Sequence, residues 1–382
     1  MKKIGIITIC RCNNYGAELQ AFALQRKLSL MGYDAEILDY LFYKHPKHKK
    51  ESFSMPAYKG YPFKRKMAEL LFPWMECFKS MKHRAAIAKR EAAFEVFHKA
   101  NTRFSQQYRS YSALYSNPPH YDAYCVGSDQ VWNPWSYTSL NPYFLTFASK
   151  DAVKFSYASS FGVSEIPVIA KEYFKEGLNN LQSISVREKT GVSIVNSLIG
   201  QDAQTVADPT LLLNAKEWDE VLNECKVPEG KYILIYELKK VPYIAQSALN
   251  LAKQKGLKIV RICKAAFRQD PMDKPIINIM DAGPAEFLGL FKNAEIVMTN
   301  SFHGTVFSIL FNKNFYTIVN KSANNNSRQL DLLSTLGIDR IKYTDEDFVE
   351  SKPLDWGVIN KRVSDFRRKS VDYLEKAINN GK

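Results

Sequence analysis

Mainly apolar runs alternate with amphipathic stretches along most of the chain. Lys3–Ile9 is one such run, Gly16–Met31 repeats its apolar positions with helical spacing, and Ala35–Tyr40 is apolar again. Apolar runs of this length are typical of strands buried in a parallel sheet, whereas a repeat of three to four residues indicates a helix. The three segments therefore predict a βαβ unit with a right-handed crossover.

The same alternation continues in two successive blocks. In the first block, further strands are predicted at Asp122–Val126, Phe144–Phe147, Val153–Ala158 and Ser183–Val186. In the second block, strands are predicted at Lys231–Tyr236, Leu257–Cys263, Ile276–Met280, Glu295–Met298 and Phe315–Val319, with helices between them. This pattern predicts an α/β protein with two Rossmann-like doubly wound domains that face a cleft, a GT-B-like architecture.

The predicted domain boundary follows Leu213, where the first α/β series ends. The N-terminal domain would span 1–213 and carry a basic helical insertion at about 41–110. The C-terminal domain would span 214–345. A last helix within 346–382 is expected to pack back on the N-terminal domain.

The stretch Ala294–Leu310 joins a predicted buried strand, a polar turn and an apolar helix. Ser301 is a typical N-cap residue, so His303 falls in the first helical turn, where open α/β sheets bind ligands. The N–H groups and dipole of a helix N-terminus favour an anion and disfavour a second proton on the imidazole. A neutral His303 beside an anion could exchange protons near pH 7, and Gly304 would allow a ligand or another backbone to come close.

Two more polar loops follow predicted strands of the N-terminal domain. The first contains Asn14, Tyr15 and Gly16, without the glycine pattern of dinucleotide-binding loops. The second carries the carboxylate of Asp129 and the indole of Trp132. Both loops are expected at the carboxyl edge of the sheet, although Asx-turn chemistry alone explains part of the second one.

The composition is that of a globular protein with a basic excess. Apolar residues make up 46% of the chain, and Lys plus Arg exceed Asp plus Glu by 53 − 39 = 14. No apolar run approaches the ~18 residues of a membrane span, and Arg11 interrupts the N-terminal run, which predicts a cytoplasmic protein. The excess favours anionic partners, and its concentration between Phe42 and Arg90 leaves peripheral contact with the inner membrane open. No Cys or His spacing is typical of a metal site, so neither a metal nor a cofactor is expected.

Five short motifs resemble those of the polysaccharide pyruvyl transferase family. In order along the chain they are NYGAELQ at 14–20, GSDQVWNP at 127–134, SVRE at 185–188, ADPTLL at 207–212 and SFHGT at 301–305. Each motif is weak alone, whereas five in the family's order make the resemblance specific. The resemblance extends to about Arg328 and does not cover Leu41–Arg109 or the tail beyond Ile341.

The resemblance implies a transfer of pyruvate from phosphoenolpyruvate to two hydroxyls of a sugar, in the synthesis of a capsule or another exopolysaccharide. It implies that Arg187 and Arg328 hold the donor's carboxylate or phosphate and that His303 is a general acid–base. Asp129 would orient or deprotonate the acceptor, and Trp132 would stack on its ring. The acceptor, a sugar or lipid-linked oligosaccharide, would lie on the N-terminal side and the donor on the C-terminal side, with no role for nucleic acid.

One position departs from the family pattern, because some members carry an Arg where this chain has Ser301. If that Arg binds phosphate, the task here falls to helix N–H groups, Arg328 or Lys264, or else the donor or the reaction differs. Two alternatives stay open. One is a GT-B glycosyltransferase that uses a nucleotide sugar, and the other is a non-catalytic basic protein that binds an acidic glycan or nucleic acid.

Overall fold

The computed structural model describes residues 1–49, 51, 83–136, 138–223, 229–263, 274–321 and 326–380. The chain divides into two compact units. The first unit comprises Met1–Arg65, Asn101–Leu213 and Val363–Lys382, and the second comprises Lys66–Ala100 and Asn214–Arg362. Each unit is built on its own parallel sheet, as the alternation of strands and helices predicts.

The first unit contains a five-stranded sheet in the order β3-β2-β1-β4-β5. Its strands are β1 (Lys3–Ile7), β2 (Asp34–Tyr40), β3 (Phe104–Tyr108), β4 (Ala123–Val126) and β5 (Val153–Ser156). All neighbouring strands are parallel. The strand order reverses between β1 and β4, and such a switch point is where open α/β sheets bind ligands. A separate parallel pair is formed by β6 (Ser185–Val186) and β7 (Gln204–Thr205).

The helices of the first unit cover both faces of its sheet with apolar side chains. Leu24 and Leu28 of the first helix, for example, pack in one core cluster with Ile4 and Ile6 of β1. The helices are α1 (Tyr15–Leu30), α3 (Tyr111–Ser116), α4 (Lys171–Leu178), α5 (Lys189–Ile199) and α6 (Pro209–Leu212), with short 3₁₀ turns at Asn141–Phe144 and Val168–Ala170.

The second unit contains a six-stranded parallel sheet in the order β10-β9-β8-β11-β12-β13. Its strands are β8 (Tyr232–Tyr236), β9 (Lys258–Ile262), β10 (Ile276–Ile279), β11 (Ile296–Thr299), β12 (Asn314–Val319) and β13 (Ile341–Tyr343). The order reverses between β8 and β11, which gives this unit a switch point of its own. The helices are α2 (Arg84–Asn101), α7 (Ala215–Asp219), α8 (Pro242–Lys255), α9 (Pro284–Asn293), α10 (Phe302–Leu310) and α11 (Ser327–Leu336), and a last helix, α12, spans Trp356–Asn379.

Helix α2 packs with the second unit, although the basic insertion was expected to belong to the N-terminal domain. Arg90 of α2 donates a hydrogen bond to the carbonyl of Cys263 at 3.2 Å. Ala93 lies so close to Gly283 that a Cβ atom on that glycine would be 2.6 Å from the alanine Cβ. Both contacts fix α2 to loops that follow strands of the second sheet. Residues 52–82 of the insertion lie outside the described residues.

The predicted strand at Phe144–Phe147 is wrong. The chain forms a 3₁₀ turn over Asn141–Phe144 with Pro142 near its start, and Leu145 adopts a left-handed conformation with φ of 58°. Neither the proline nor the left-handed residue suits a central strand. The segment is apolar because its side chains enter the core, where Phe144 stacks on Trp132 at 6.0 Å between ring centres.

The C-terminal part of α12 is held in the first unit by polar contacts. Arg367 donates to the carbonyls of Leu211 and Leu213 at 2.6 and 3.1 Å. Tyr373 donates to the carbonyl of Ser156 at 2.9 Å, at the end of β5. Across the described ranges, none of the helices is both long and apolar enough to cross a bilayer.

Candidate active site

The polar loops after β1 and β4 meet at the switch point of the first sheet, where Gln20 of α1 ties them together. The Gln20 amide donates to the hydroxyl of Thr8 at 2.8 Å and accepts from the Ser128 N–H at 3.1 Å. Thr8 in turn donates to the carbonyl of Ser128 at 3.0 Å. Gln20 is fully buried, and its place in the helix gave no sign of this role because the side chain acts on loops distant in sequence.

The other polar residues of the first motif also hold the loop after β1. Asn14 is the N-cap of α1, and its side chain accepts from the Gly16 N–H at 3.2 Å. Glu18 accepts from the N–H of Cys12 at 2.9 Å, and Tyr15 is buried. Capping and packing therefore account for Asn14, Tyr15 and Gly16, and their binding of substrate stays a prediction.

Asp129 is the partly exposed end of a buried charge network in the first unit. It follows β4 in a left-handed conformation with φ of 69°, and its side chain is 16% exposed. Its Oδ1 lies 3.3 Å from Nη2 of Arg187, the residue directly after β6. An acidic side chain in this position could accept a proton from a hydroxyl group of a ligand at the sheet edge.

The guanidinium of Arg187 is surrounded by three carboxylates. Nη1 lies 2.8 Å from Asp208 and Nε lies 4.0 Å from Glu188, in addition to the contact with Asp129. Burial lowers the pKa of Arg187, but Asp208, Asp129 and Glu188 together raise it above its ordinary value. The side chain is 1% exposed. Arg187 therefore does not meet the expectation of an open clamp for a donor anion, because its fork is engaged by protein carboxylates.

The expectation that Trp132 stacks on a sugar is wrong. Its side chain is completely buried, and its indole N–H donates to the carbonyl of Tyr143 at 2.8 Å. Its ring lies between those of Phe144 and Phe161, at 6.0 and 5.2 Å from their centres. Trp135, three residues further along the same loop, keeps part of its surface exposed.

His303 lies in the first turn of α10, at the switch point of the second sheet, as predicted. Ser301 caps the helix by accepting from the Gly304 N–H at 3.3 Å. The imidazole is largely buried, with 8% of the residue exposed, and meets the ring of Phe302 edge-on at 5.2 Å. Arg328, in the first turn of α11, places its guanidinium 5.9 Å from the centre of the same phenyl ring. The guanidinium of Arg328 and the imidazole of His303 thus both lie next to the ring of Phe302.

Asn300 joins the loops after β8 and β11 beside His303. Its side chain accepts from the Leu238 N–H and donates to the carbonyl of Lys239, both at 2.9 Å. Gln329 of α11 donates to the backbone carbonyl of Asn300 at 3.3 Å. Asn300 and Gln329 were not identified from the sequence, because an amide in a polar turn resembles any other turn residue.

Gly304 is required by its neighbour within the protein. A Cβ atom at this position would lie 2.3 Å from Oγ1 of Thr299. Thr299 donates to the carbonyl of Tyr236 at 2.5 Å and accepts from the Ser301 N–H at 3.0 Å. The close approach of Thr299 explains why residue 304 is a glycine, and helix capping explains Ser301. Substrate binding by Ser301 and Gly304 therefore stays a prediction. Lys264 lies outside the described residues.

A second buried ion pair lies at the ends of β8 and β9. Nη1 of Arg261 is 3.6 Å from Oε1 of Glu237, and both side chains are 1% exposed. Arg261 also donates to Asn278 at 2.8 Å, and Glu237 accepts from the Val241 N–H at 2.9 Å. These contacts fix the loop after β8, whose backbone also bonds to the side chain of Asn300.

Within the described residues, no group of three or more His, Cys, Asp or Glu side chains could hold a metal ion.

A family model described as polysaccharide pyruvyl transferase matches residues 14–322. No curated protein matches the chain in sequence. The structure is similar to the UDP-GlcNAc 2-epimerase of Methanocaldococcus jannaschii at 11% identity, over 99% of this chain and 93% of that one, with a TM-score of 0.46. It is similar to the UDP-N-acetylglucosamine 2-epimerase of Rickettsia bellii at 11% identity, over 98% of both chains, with a TM-score of 0.48. It is also similar to the E. coli heptosyltransferase WaaC at 10% identity, over 95% of this chain and 99% of that one, with a TM-score of 0.39.

Proposed function

The chain belongs to the polysaccharide pyruvyl transferase family, and from this premise we propose that it transfers pyruvate from phosphoenolpyruvate to a sugar of a surface polysaccharide or its precursor. The match over residues 14–322 carries the proposal. The product would be a cyclic pyruvate ketal on two hydroxyls of the acceptor, with inorganic phosphate released.

The proposed reaction needs one proton placed on carbon and two protons taken from hydroxyls. Protonation of the donor methylene converts it to a methyl group and makes the adjacent carbon electrophilic. Two acceptor hydroxyls then form bonds to that carbon, and the bond to phosphate breaks. One hydroxyl proton balances the proton on the methyl group and the other leaves with phosphate, so no oxidant or reductant is required. The protein must supply a proton donor, an acceptor and cations for a trianionic donor.

His303 and Arg328 of the second unit are proposed to act on the donor. His303 lies in the first turn of α10, where backbone N–H groups and the helix dipole favour an anion. An imidazole there could transfer a proton while the anion stays bound. The planar guanidinium of Arg328, stacked against Phe302 at 5.9 Å, suits a bidentate contact with carboxylate or phosphate. Arg328 would supply the positive charge that Ser301 does not.

Asp129 of the first unit is proposed to act on the acceptor. Its carboxylate is partly exposed at the switch point of the first sheet and is oriented by Arg187. An oriented carboxylate can accept the proton of an attacking sugar hydroxyl. Two further carboxylates, those of Glu188 and Asp208, face the same guanidinium. Negative charge therefore exceeds positive charge on this side and opposes the binding of an anion.

Turnover of the purified protein tests the proposal. The enzyme is incubated with phosphoenolpyruvate and a panel of oligosaccharides, phosphate release is followed, and a new ketal methyl singlet is sought by proton NMR. Parallel reactions contain a nucleotide sugar in place of phosphoenolpyruvate. Phosphate release that depends on the acceptor, with a ketal product, supports the proposal. Transfer from the nucleotide sugar with no reaction of phosphoenolpyruvate would establish the glycosyltransferase alternative instead.

An acceptor carried on an anionic lipid would extend the proposal to the cytoplasmic face of the inner membrane. The basic residues between Phe42 and Arg90 motivate this part, but most of that segment lies outside the described residues. Each Lys or Arg near an anionic bilayer contributes about 1 kcal/mol, and salt weakens the attraction. Sedimentation with anionic and neutral vesicles at low and high salt tests it. A protein that stays in the supernatant with anionic vesicles at low salt does not bind the membrane.

A further inference from the structure

We infer that Arg187 and Asp208 are positioning residues for Asp129, and that they act on acceptor activation rather than on donor binding. The inference rests on the proposed function, because it gives Asp129 the task of accepting the acceptor's hydroxyl proton. It assigns a role to two buried charged residues that the resemblance either gave to the donor or left without a role.

The three side chains form a continuous series of contacts from the core to the sheet edge. Nη1 of Arg187 lies 2.8 Å from Oδ2 of Asp208, and Nη2 lies 3.3 Å from Oδ1 of Asp129. Exposure increases along the series, from 0% for the Asp208 side chain through 1% for Arg187 to 16% for Asp129. Asp129 is the member that a substrate can reach, so the other two can influence the reaction only through it.

Asp208 is itself held rigidly. Its Oδ1 accepts from the backbone N–H of Thr210 at 3.1 Å and from the Thr210 hydroxyl at 2.6 Å. Its Oδ2 lies 3.4 Å from the hydroxyl of Ser128, which also donates to the carbonyl of Ala158 at 2.8 Å, and Ser128 is the residue before Asp129. A carboxylate fixed on both oxygens gives the guanidinium one defined orientation, and the guanidinium then sets the orientation of Asp129.

The charges around Arg187 also separate this role from donor binding. Asp129, Asp208 and Glu188 face one guanidinium, and Glu188 accepts a further hydrogen bond from Ser160 at 2.7 Å. A trianionic donor brought to this cluster would meet more negative than positive charge, which opposes binding. The same arrangement places the guanidinium 3.3 Å from the Asp129 carboxylate, so the guanidinium is the group that orients this carboxylate.

A double-mutant cycle on the full-length enzyme tests the inference. Asp208→Asn, Asp129→Asn and the double variant are compared by kcat/KM with the acceptor varied. Asp208→Asn should lower kcat/KM by about 10- to 100-fold, because small displacements of a reacting group have effects of that size. In the Asp129→Asn background it should change kcat/KM by less than about threefold, because the route of its action is already lost. Asp208→Glu should restore part of the activity.

Ser110→Ala provides the matched control. Ser110 is the buried N-cap of α3 in the same unit, and its hydroxyl accepts from the Ala113 N–H at 3.1 Å. This variant should lower the melting temperature without changing kcat/KM for the acceptor. Arg187→Lys keeps the charge and loses the planar fork that orients Asp129, so kcat/KM for the acceptor should fall about tenfold while the donor KM stays within about twofold.

Two results would overturn the inference. If the fold-losses of kcat/KM in Asp208→Asn and Asp129→Asn multiply in the double variant, Asp208 acts independently of Asp129. A donor KM raised tenfold or more in Arg187→Lys, with kcat/KM for the acceptor unchanged at saturating donor, would return Arg187 to the donor. If Asp208→Asn does not fold, Thr210→Val replaces it, because it removes the 2.6 Å hydroxyl contact and keeps every charge. A wild type that turns over no phosphoenolpyruvate would instead contradict the proposed function, and the cycle is then read with the donor that is used.

Discussion

The guanidinium carbon of Arg328 lies 5.9 Å from the centre of the Phe302 ring. The two residues stand in the first turns of neighbouring helices of the second unit, α11 and α10. Stacking on an aromatic face sets the plane of a guanidinium and disfavours its replacement by a flexible ammonium. The imidazole of His303 meets the same ring at 5.2 Å, so one phenyl group lies next to both of the residues that are proposed to act on the donor.

Arg328→Lys should weaken donor binding although it preserves the charge. The lysine ammonium offers a point charge instead of a planar fork, and it stacks less well on Phe302. We expect the donor KM to rise about tenfold, with the acceptor KM unchanged. Phe302→Leu should raise the donor KM by a smaller factor, because the guanidinium keeps its charge but loses its orienting surface. An unchanged donor KM in Arg328→Lys would remove Arg328 from the donor site.

His303→Gln should lower kcat by about 10²-fold or more if the imidazole transfers the proton. The folded state should survive, because Ser301 and not His303 caps α10. His120→Gln, at an exposed histidine of the first unit, is the control and should have wild-type kinetics. Wild-type turnover in folded His303→Gln would exclude a catalytic role.

The two tryptophans of the loop after β4 should behave differently. Trp132→Ala removes a fully buried ring and should destabilise the first unit by about 3–5 kcal/mol. Trp135→Ala, at a partly exposed indole, should cost clearly less. Scanning calorimetry of both variants measures the difference. Similar melting temperatures for the two would contradict the distinction between a core tryptophan and a surface one.

Gly304→Ala should destabilise the second unit by about 1–3 kcal/mol through overpacking. The new Cβ would lie 2.3 Å from Oγ1 of Thr299 and 3.0 Å from its Cβ. Thr299→Ala removes the closer atom. The loss of unfolding free energy in the double variant should therefore be smaller than the sum of the losses in the two single variants. Additive losses in calorimetry would show that the glycine is needed for another reason.

The central strands of both sheets were predictable because they are apolar and buried. The polar edge strand β3, which is mostly exposed or half-buried, was instead predicted as part of the helical insertion, and β13 was not predicted. β8 is buried at each of its five positions, and the αβ alternation around it leaves few other topologies. The apolar segment near Phe144 was mistaken for a strand because burial alone produces the same pattern. Its proline and its left-handed Leu145 decide the conformation, and the second of these is not visible in a sequence.

The candidate site was predictable where a residue acts locally. His303 lies two positions after the N-cap Ser301, so the capping preference of serine predicted the start of the helix and the place of His303 in its first turn. The surroundings of Arg187 and Trp132 were not predictable, because Arg187 pairs with Asp208 and Trp132 donates to the carbonyl of Tyr143. Pairing between distant strands and turns brings these partners together, and residue type gives no information about it.

Donor binding tests the central claim most directly, since it requires no knowledge of the acceptor. Isothermal titration calorimetry would measure phosphoenolpyruvate and, separately, UDP-GlcNAc against the wild type and Arg328→Gln. The account predicts one phosphoenolpyruvate site per chain, weakened about tenfold or more in Arg328→Gln, and no binding of the nucleotide sugar at the same concentrations. Binding of UDP-GlcNAc without any binding of phosphoenolpyruvate would contradict it.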